Sequence, residues 1–271
     1  MHQPSLIVKV RLAVCLLFVA SATHAAGTGA LNDTGQTLCL SHVSNTLVAC
    51  TPTNTGDSSG RPGQDGRFGR DAAARNPVLS GFSKPAGSGG SGGFAFTPLG
   101  ADGTAIALTD TTPPVPSATP RCIKDNVTNL IWEVKTDDAG LQDKDWFYVW
   151  GSGSGGNSCG GTLTGTGLCN SANYITALNA ASVCPISGAG PWRLPTRREL
   201  LSIVDHNRSS SPVIDTNYFP NTPSASNYYW SADNYAVQPT TLAWDVYFTD
   251  GDSVAGGKTA GLRVRLVRDG P

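Results

Sequence analysis

Residues 192–205 read WRLPTRRELLSIVD and carry the strongest local folding signal in the chain. Thr196 and Glu199 have the spacing of a capping box, in which each side chain accepts a hydrogen bond from the backbone of the other residue. The apolar residues that follow at helical spacing are Leu200, Ile203 and Val204. The stretch therefore predicts a helix that begins at Thr196 and buries one apolar face.

The segments on either side of this helix predict a mixed fold. Upstream, residues 172–183 have a helical apolar period, and residues 129–134 (NLIWEV) are typical of a strand. Downstream the period becomes two, which predicts strands at 228–231, 244–249 and 262–266. On the last two strands the predicted inward residues are Trp244, Val246, Phe248, Leu262, Val264 and Leu266. A strand, two helices and then a run of strands is an α+β order.

The large aromatic residues are concentrated in the C-terminal half. All six Trp and all seven Tyr follow residue 120. Gly and Pro make up about 26% of residues 26–120, which is the level of low-complexity sequence. Because a core needs large apolar side chains, the folded domain is predicted over 121–271. Residues 26–120 are predicted to form a mostly irregular Gly/Pro-rich arm, with a small disulfide-closed hairpin near 31–50.

The first 25 residues are typical of a secretory signal peptide. Lys9 and Arg11 precede an apolar run of about nine residues, and small residues follow at 22–25. Roughly 20 apolar residues are needed to span a bilayer, so a membrane anchor is the less favoured interpretation. The mature protein is predicted to be secreted, periplasmic or attached to the cell surface, without a membrane span.

The cysteine count predicts disulfides. Six of the seven cysteines lie beyond the signal segment, and six cysteines allow fifteen pairings. Proximity in sequence favours two short loops and leaves one long connection. The predicted pairs are Cys39–Cys50, Cys159–Cys169 and Cys122–Cys184. A structural metal site is disfavoured because the chain contains no C-x-x-C motif.

The charge balance excludes a nucleic-acid partner. The net charge is −1 and charged residues make up 14% of the chain, so no basic footprint for a phosphate backbone exists. Four arginines leave a narrower question open, namely Arg193, Arg263, Arg265 and Arg268. They either form an anion-binding patch or pair internally with Glu133, Glu199, Asp205 and Asp245. The net charge favours internal pairing.

Five segments together resemble a known family. They are 126–145 (NVTNLIWEVKTDDAGLQDKD), 192–205 (WRLPTRRELLSIVD), 228–233 (YYWSAD), 243–248 (AWDVYF) and 264–268 (VRLVR). In this order they resemble the Lcl C-terminal domain family, long known as a domain of unknown function. The resemblance implies a C-type-lectin-like fold, close to the formylglycine-generating-enzyme branch, with two helices packed on a twisted antiparallel sheet. It also implies a bacterial, exported protein with a binding or structural role.

The chemistry of related folds does not transfer to this chain. No cysteine follows Cys184, so the oxidase activity of the formylglycine branch is not expected. The triplets at 238–240 and 243–245 lack the oxygen ligands of calcium-dependent lectins. An acidic loop is a weak candidate for calcium, and its alternative is a solvated acidic surface. Its carboxylates are Asp137, Asp138, Asp143 and Asp145. No other cofactor is predicted.

Exposed aromatic side chains on loops are the remaining candidates for ligand contact, because such rings stack on sugars and anchor protein interfaces. The candidates are Trp146, Trp150, Tyr228, Tyr229 and Tyr235. The alternative is that these rings pack onto the core. The favoured function is a non-enzymatic binding or adhesion module for a glycan or an envelope protein. A structural subunit of an envelope or filament assembly, and an enzyme with an unrecognised site, are the alternatives.

Overall fold

The computed structural model describes residues 38–40, 47–49, 87–155, 158–163, 167–225 and 228–271. The predicted signal peptide and Cys50 lie outside these ranges, and with Cys50 the predicted Cys39–Cys50 bond. Within the described residues, no helix combines the length and apolar character needed to cross a bilayer.

Strands β1 (Leu38–Leu40) and β2 (Leu47–Ala49) pair antiparallel, with Leu38 opposite Ala49. These two strands lie within the hairpin predicted near 31–50. The segment between them lies outside the described residues.

A four-stranded antiparallel sheet joins the beginning and the end of the main folded unit. Its strands are β3 (Phe96–Leu99), β4 (Cys122–Asp125), β5 (Leu130–Glu133) and β9 (Val267–Asp269), in the order β3-β4-β5-β9. Strand β5 confirms the strand predicted at 129–134, and all four of its residues are buried.

A second antiparallel sheet has three strands, β6 (Tyr228–Asn234), β7 (Leu242–Tyr247) and β8 (Ser253–Gly257), in that order. The strand predicted at 228–231 is confirmed and is longer. The strand predicted at 262–266 is wrong, since Leu262 and Arg263 make only isolated bridges and the final strand starts at Val267.

The inward face predicted for β7 is wrong at two positions. Val246 and Phe248 are buried as predicted, but Trp244 is half-exposed and Asp245 is buried. Strand β7 is the central strand of its sheet, and both of its faces carry buried residues, Val246 on one and Ala243 and Asp245 on the other. A strand covered on both faces does not need to alternate apolar and polar residues.

Two helices lie between the sheets in sequence. Helix α1 (Ser171–Ala180) begins at Asn170, whose side chain accepts a hydrogen bond from the backbone of Asn173. Helix α2 (Arg197–Leu201) has the predicted capping box. Thr196 N–H donates to Glu199 at 2.7 Å, and Glu199 N–H donates to Thr196 Oγ1 at 3.1 Å. The chain leaves the helix soon after, but Leu200, Ile203 and Val204 are buried as predicted.

Two of the predicted disulfides are confirmed. Cys122–Cys184 ties β4 to the loop after α1, and Cys159–Cys169 closes a short loop before α1. All four cysteines are buried in the apolar core.

The folded unit begins before the predicted boundary at residue 121. Phe94 and Phe96 are each 1% exposed, and the ring of Phe96 packs edge-on against Phe219 at 5.4 Å. Strand β3 pairs with β4 along its whole length. The C-terminal part of the predicted arm is therefore core and sheet, and the architecture is α+β with two antiparallel sheets and few helices.

Candidate functional site

The half-exposed ring of Trp150 is fixed by two hydrogen bonds, one from the backbone and one from the side chain of this residue. Its backbone N–H donates to the Lys258 carbonyl at 2.9 Å, and its indole Nε1 donates to the Ser231 carbonyl at 2.8 Å. The preceding residues Tyr148 and Val149 are bridged to Leu262 and Asn170. These bonds fix the ring between the second sheet and the start of α1.

A polar cleft of ≈ 290 Å³ lies on one side of this ring. The Lys258 ammonium sits 4.0 Å from the ring centre of Trp150, a cation–π contact. Lys258 also donates to Asn234 Oδ1 and to the Pro239 carbonyl, each at 2.6 Å, so its position is fixed. The hydroxyl residues that line this cleft are Ser152, Ser154, Thr240 and Thr259.

A second, more apolar cleft of ≈ 440 Å³ shares Trp150 and Gly151 with the first. Its apolar lining is Ala172, Ile175, Leu194 and Ala232, with Arg193 and Thr196 also present. Gly151 has φ +65 and nothing lies within 4 Å of its missing side chain. The left-handed turn at this glycine carries the chain past the Trp150 ring without filling either cleft.

The other aromatic candidates are not gathered around Trp150. Trp146 donates from Nε1 to the Gly140 carbonyl at 2.6 Å. Tyr228 stacks on Tyr247 with ring centres 3.9 Å apart, and Tyr235 meets Trp244 edge-on at 5.1 Å. All three candidates are partly exposed, and none lines either cleft.

Tyr229 is a correction to the predicted ligand residues. It is 0% exposed, and its ring packs edge-on against Phe248 at 5.2 Å. In strand β6 the neighbouring residues Tyr228 and Tyr229 point to opposite faces, and the face of Tyr229 is core. A ligand at the surface therefore has no access to this ring.

The negative charge of the acidic loop is compensated by a lysine and by backbone N–H groups of the same loop. Three of its carboxylates, Asp137, Asp143 and Asp145, have oxygen atoms within 4.8 Å of one another. Lys144 donates to Asp137 at 2.9 Å and to Asp145 at 2.8 Å, and these bonds raise the pKa of Lys144 to about 12. Burial alone would raise the pKa of Asp143, but three backbone N–H donors, from 138, 139 and 145, lower it. The acidic loop is therefore held together by its own hydrogen bonds and ion pairs.

The four arginines behave differently from one another. Arg193 pairs with Glu199 and Asp269, as internal pairing predicts. Arg265 is 0% exposed and donates to the Glu133 carbonyl and to Thr222. The solvent-facing positions predicted for Arg263 and Arg265 are wrong, because each guanidinium lies against an aromatic ring, which makes its burial tolerable.

A buried polar network centred on Glu133 has no counterpart among the predicted sites. Glu133 Oε1 accepts hydrogen bonds from Lys135 at 3.0 Å and from the Tyr174 hydroxyl, and Oε2 accepts from Leu266 N–H at 2.8 Å. Burial lowers the pKa of Lys135 and raises that of Tyr174 well above its ordinary value. The network joins β5, α1 and the segment before β9. Its sequence signal is a Glu and a Lys two residues apart, at and just after the end of a buried strand.

Comparison with known proteins identifies one family. A family model described as the Lcl C-terminal domain matches residues 121–268. No curated protein matches the chain, and no solved structure matches it.

Proposed function

Because the chain belongs to the Lcl C-terminal domain family, we propose that it is an exported bacterial binding module, not an enzyme, which holds a glycan at the clefts around Trp150. The observation that carries the proposal is a half-exposed indole ring that borders two open clefts, one lined by hydroxyl groups and one mostly apolar.

The chemistry of the two clefts suits a sugar. One face of a pyranose ring presents C–H groups, and such a face packs against an indole ring. The hydroxyl groups of Ser152, Ser154 and Thr259 supply donors and acceptors beside that ring, as a sugar requires. A mostly apolar pocket with a few placed polar groups is the usual form of a small-molecule site.

The lining of the clefts supports binding without catalysis. Among the residues that the structure describes, neither cleft is lined by a carboxylate or a histidine, the groups that most often act as general acid or base and activate a hydroxyl nucleophile. Lys258, whose ammonium lies over the Trp150 ring, is held by hydrogen bonds to Asn234 and to the Pro239 carbonyl.

The fold and the disulfides support the rest of the proposal. Two antiparallel sheets and few helices are compatible with the C-type-lectin-like arrangement that the resemblance implies. Two buried disulfides favour an oxidising compartment, which is where an exported protein folds.

A glycan array probed with the full chain tests this function. We expect retention of a subset of glycans by the wild type and at least tenfold weaker capture by Trp150→Ala. Trp146→Ala is the matched control, because Trp146 is also half-buried and bonds a carbonyl through its indole N–H, yet lines neither cleft. A wild type that retains no glycan, or equal losses in the two variants, would overturn the proposal.

A further inference from the structure

Arg268 lies in a third cleft, separate from the two around Trp150. This cleft has a volume of ≈ 370 Å³, and no residue that lines it lines either of the others. Beside Arg268, its lining includes Asn179, Ser182, Ile186, Ser187 and Trp192. Arg268 is 7% exposed, so most of the residue is removed from water.

The guanidinium has few partners for a buried charge. It donates one hydrogen bond, from Nη2 to the carbonyl of Cys184, and it lies 4.5 Å from the ring centre of Trp192. Its Nε is buried without a hydrogen-bond partner. Within the part of the chain that the structure describes, Arg268 makes no salt bridge, whereas the neighbouring Arg193 pairs with Glu199 and Asp269.

An unpaired buried cation is costly, and a ligand can remove that cost. Burial of a charge without a counter-charge is unfavourable, and proteins usually avoid it by pairing the charge. Burial lowers the pKa of Arg268, as expected where no carboxylate opposes desolvation. Arginine nevertheless stays protonated, so the positive charge persists in the cleft.

We propose that this third cleft binds a carboxylate group, with Arg268 as the residue that receives it. The planar guanidinium matches the two oxygens of a carboxylate. A single cationic side chain lines the cleft, which fits one negative charge better than the two of a phosphate. Ser182 and Ser187 are exposed on its rim and supply hydroxyl groups to the rest of the ligand.

Calorimetric titration of the full chain with glucuronate, glucose and inorganic phosphate tests the proposal. Glucuronate and glucose differ by one carboxylate, so we expect the wild type to prefer glucuronate by at least tenfold. Arg268→Gln should abolish that preference. Trp146→Ala, at a ring that lines none of the three clefts, should leave it unchanged.

A second variant protects the test against misfolding of Arg268→Gln. Ser187→Glu places a carboxylate on the exposed rim of the cleft, where it competes with the ligand while Arg268 and its bond to Cys184 stay in place. We expect it also to weaken glucuronate binding at least tenfold. Equal binding of glucuronate and glucose, tighter binding of phosphate, or unchanged binding in Ser187→Glu would each overturn the assignment.

Discussion

Ser91 donates a hydrogen bond from Oγ to Asp205 Oδ2 at 2.7 Å, across 114 positions of sequence. The backbone N–H of the same serine donates to Asp215 Oδ2 at 2.8 Å. Both aspartates are buried, at 2% and 4% exposure. A residue from the Gly-rich segment therefore satisfies two carboxylates inside the domain that follows it.

Ser91→Ala should destabilise the protein by about 1–3 kcal/mol, because it leaves a buried charged acceptor without its donor. Urea unfolding measures this loss. Ser209→Ala, at an exposed position, is the control and should change stability by less than about 0.5 kcal/mol. Equal stability of the two variants would contradict the role given to Ser91.

Removal of residues 26–120 should leave a fragment that unfolds far more easily than the full chain. Such a fragment lacks strand β3 and the buried rings of Phe94 and Phe96, and each lost ring alone costs about 3–5 kcal/mol. A fragment that begins at residue 87 keeps these groups and should keep the stability. Thermal melts of both fragments decide the point, and equal melting temperatures would contradict it.

Glu133→Ala should be among the most destabilising single changes in the protein. It leaves the buried ammonium of Lys135 without its carboxylate partner, and removing one partner of a buried ion pair typically costs about 3–5 kcal/mol of stability. The control is Asp145→Ala, which breaks an ion pair with Lys144 on the surface and should cost less than about 1 kcal/mol. Urea unfolding gives both values, and a small loss in Glu133→Ala would show that the network contributes little.

Asp245 should make the protein less stable as pH rises. Burial raises the pKa of Asp245 to about 7 in the folded state, while an unfolded aspartate has a pKa near 3.8. Between these values the folded state binds the extra proton, so stability falls as pH rises through this window and levels off above it. Asp245→Asn should therefore stabilise the protein by about 1–3 kcal/mol more at pH 8 than at pH 5.

The check is urea unfolding of wild type and Asp245→Asn from pH 5 to pH 8. Asp252→Asn is the control, because Asp252 follows β7 closely and is exposed. It should leave the slope of stability against pH as in the wild type. The same slope in Asp245→Asn and in the wild type would contradict the effect of burial on Asp245.

Features encoded by nearby residues were predictable from the sequence. The capping box of Thr196 and Glu199 needs only a spacing of three, and the Cys159–Cys169 bond closes a loop of ten residues. Features that depend on distant segments were not predictable in this way. The burial of Arg265 depends on Phe219 and Tyr229, and the burial of Phe96 depends on rings more than 120 residues away.

The candidate site shows the same division. The aromatic content of 146–150 indicates a loop that borders two of the clefts, but which of its rings lies beside open space depends on α1 and on the residues after β8. Trp150 and Trp146 have equivalent sequence signals and different surroundings. The unpaired state of Arg268 likewise depends on where the carboxylates of other segments lie.

The bond between Arg268 and the Cys184 carbonyl links the third cleft to the Cys122–Cys184 disulfide. Cys184 has φ +49, a left-handed conformation that is unfavourable for a side-chain-bearing residue. Because Cys122 lies in β4, the disulfide ties the carbonyl that accepts from Arg268 to the first sheet. The position of the guanidinium is thus coupled to a cross-link between residues that are 62 positions apart in the sequence.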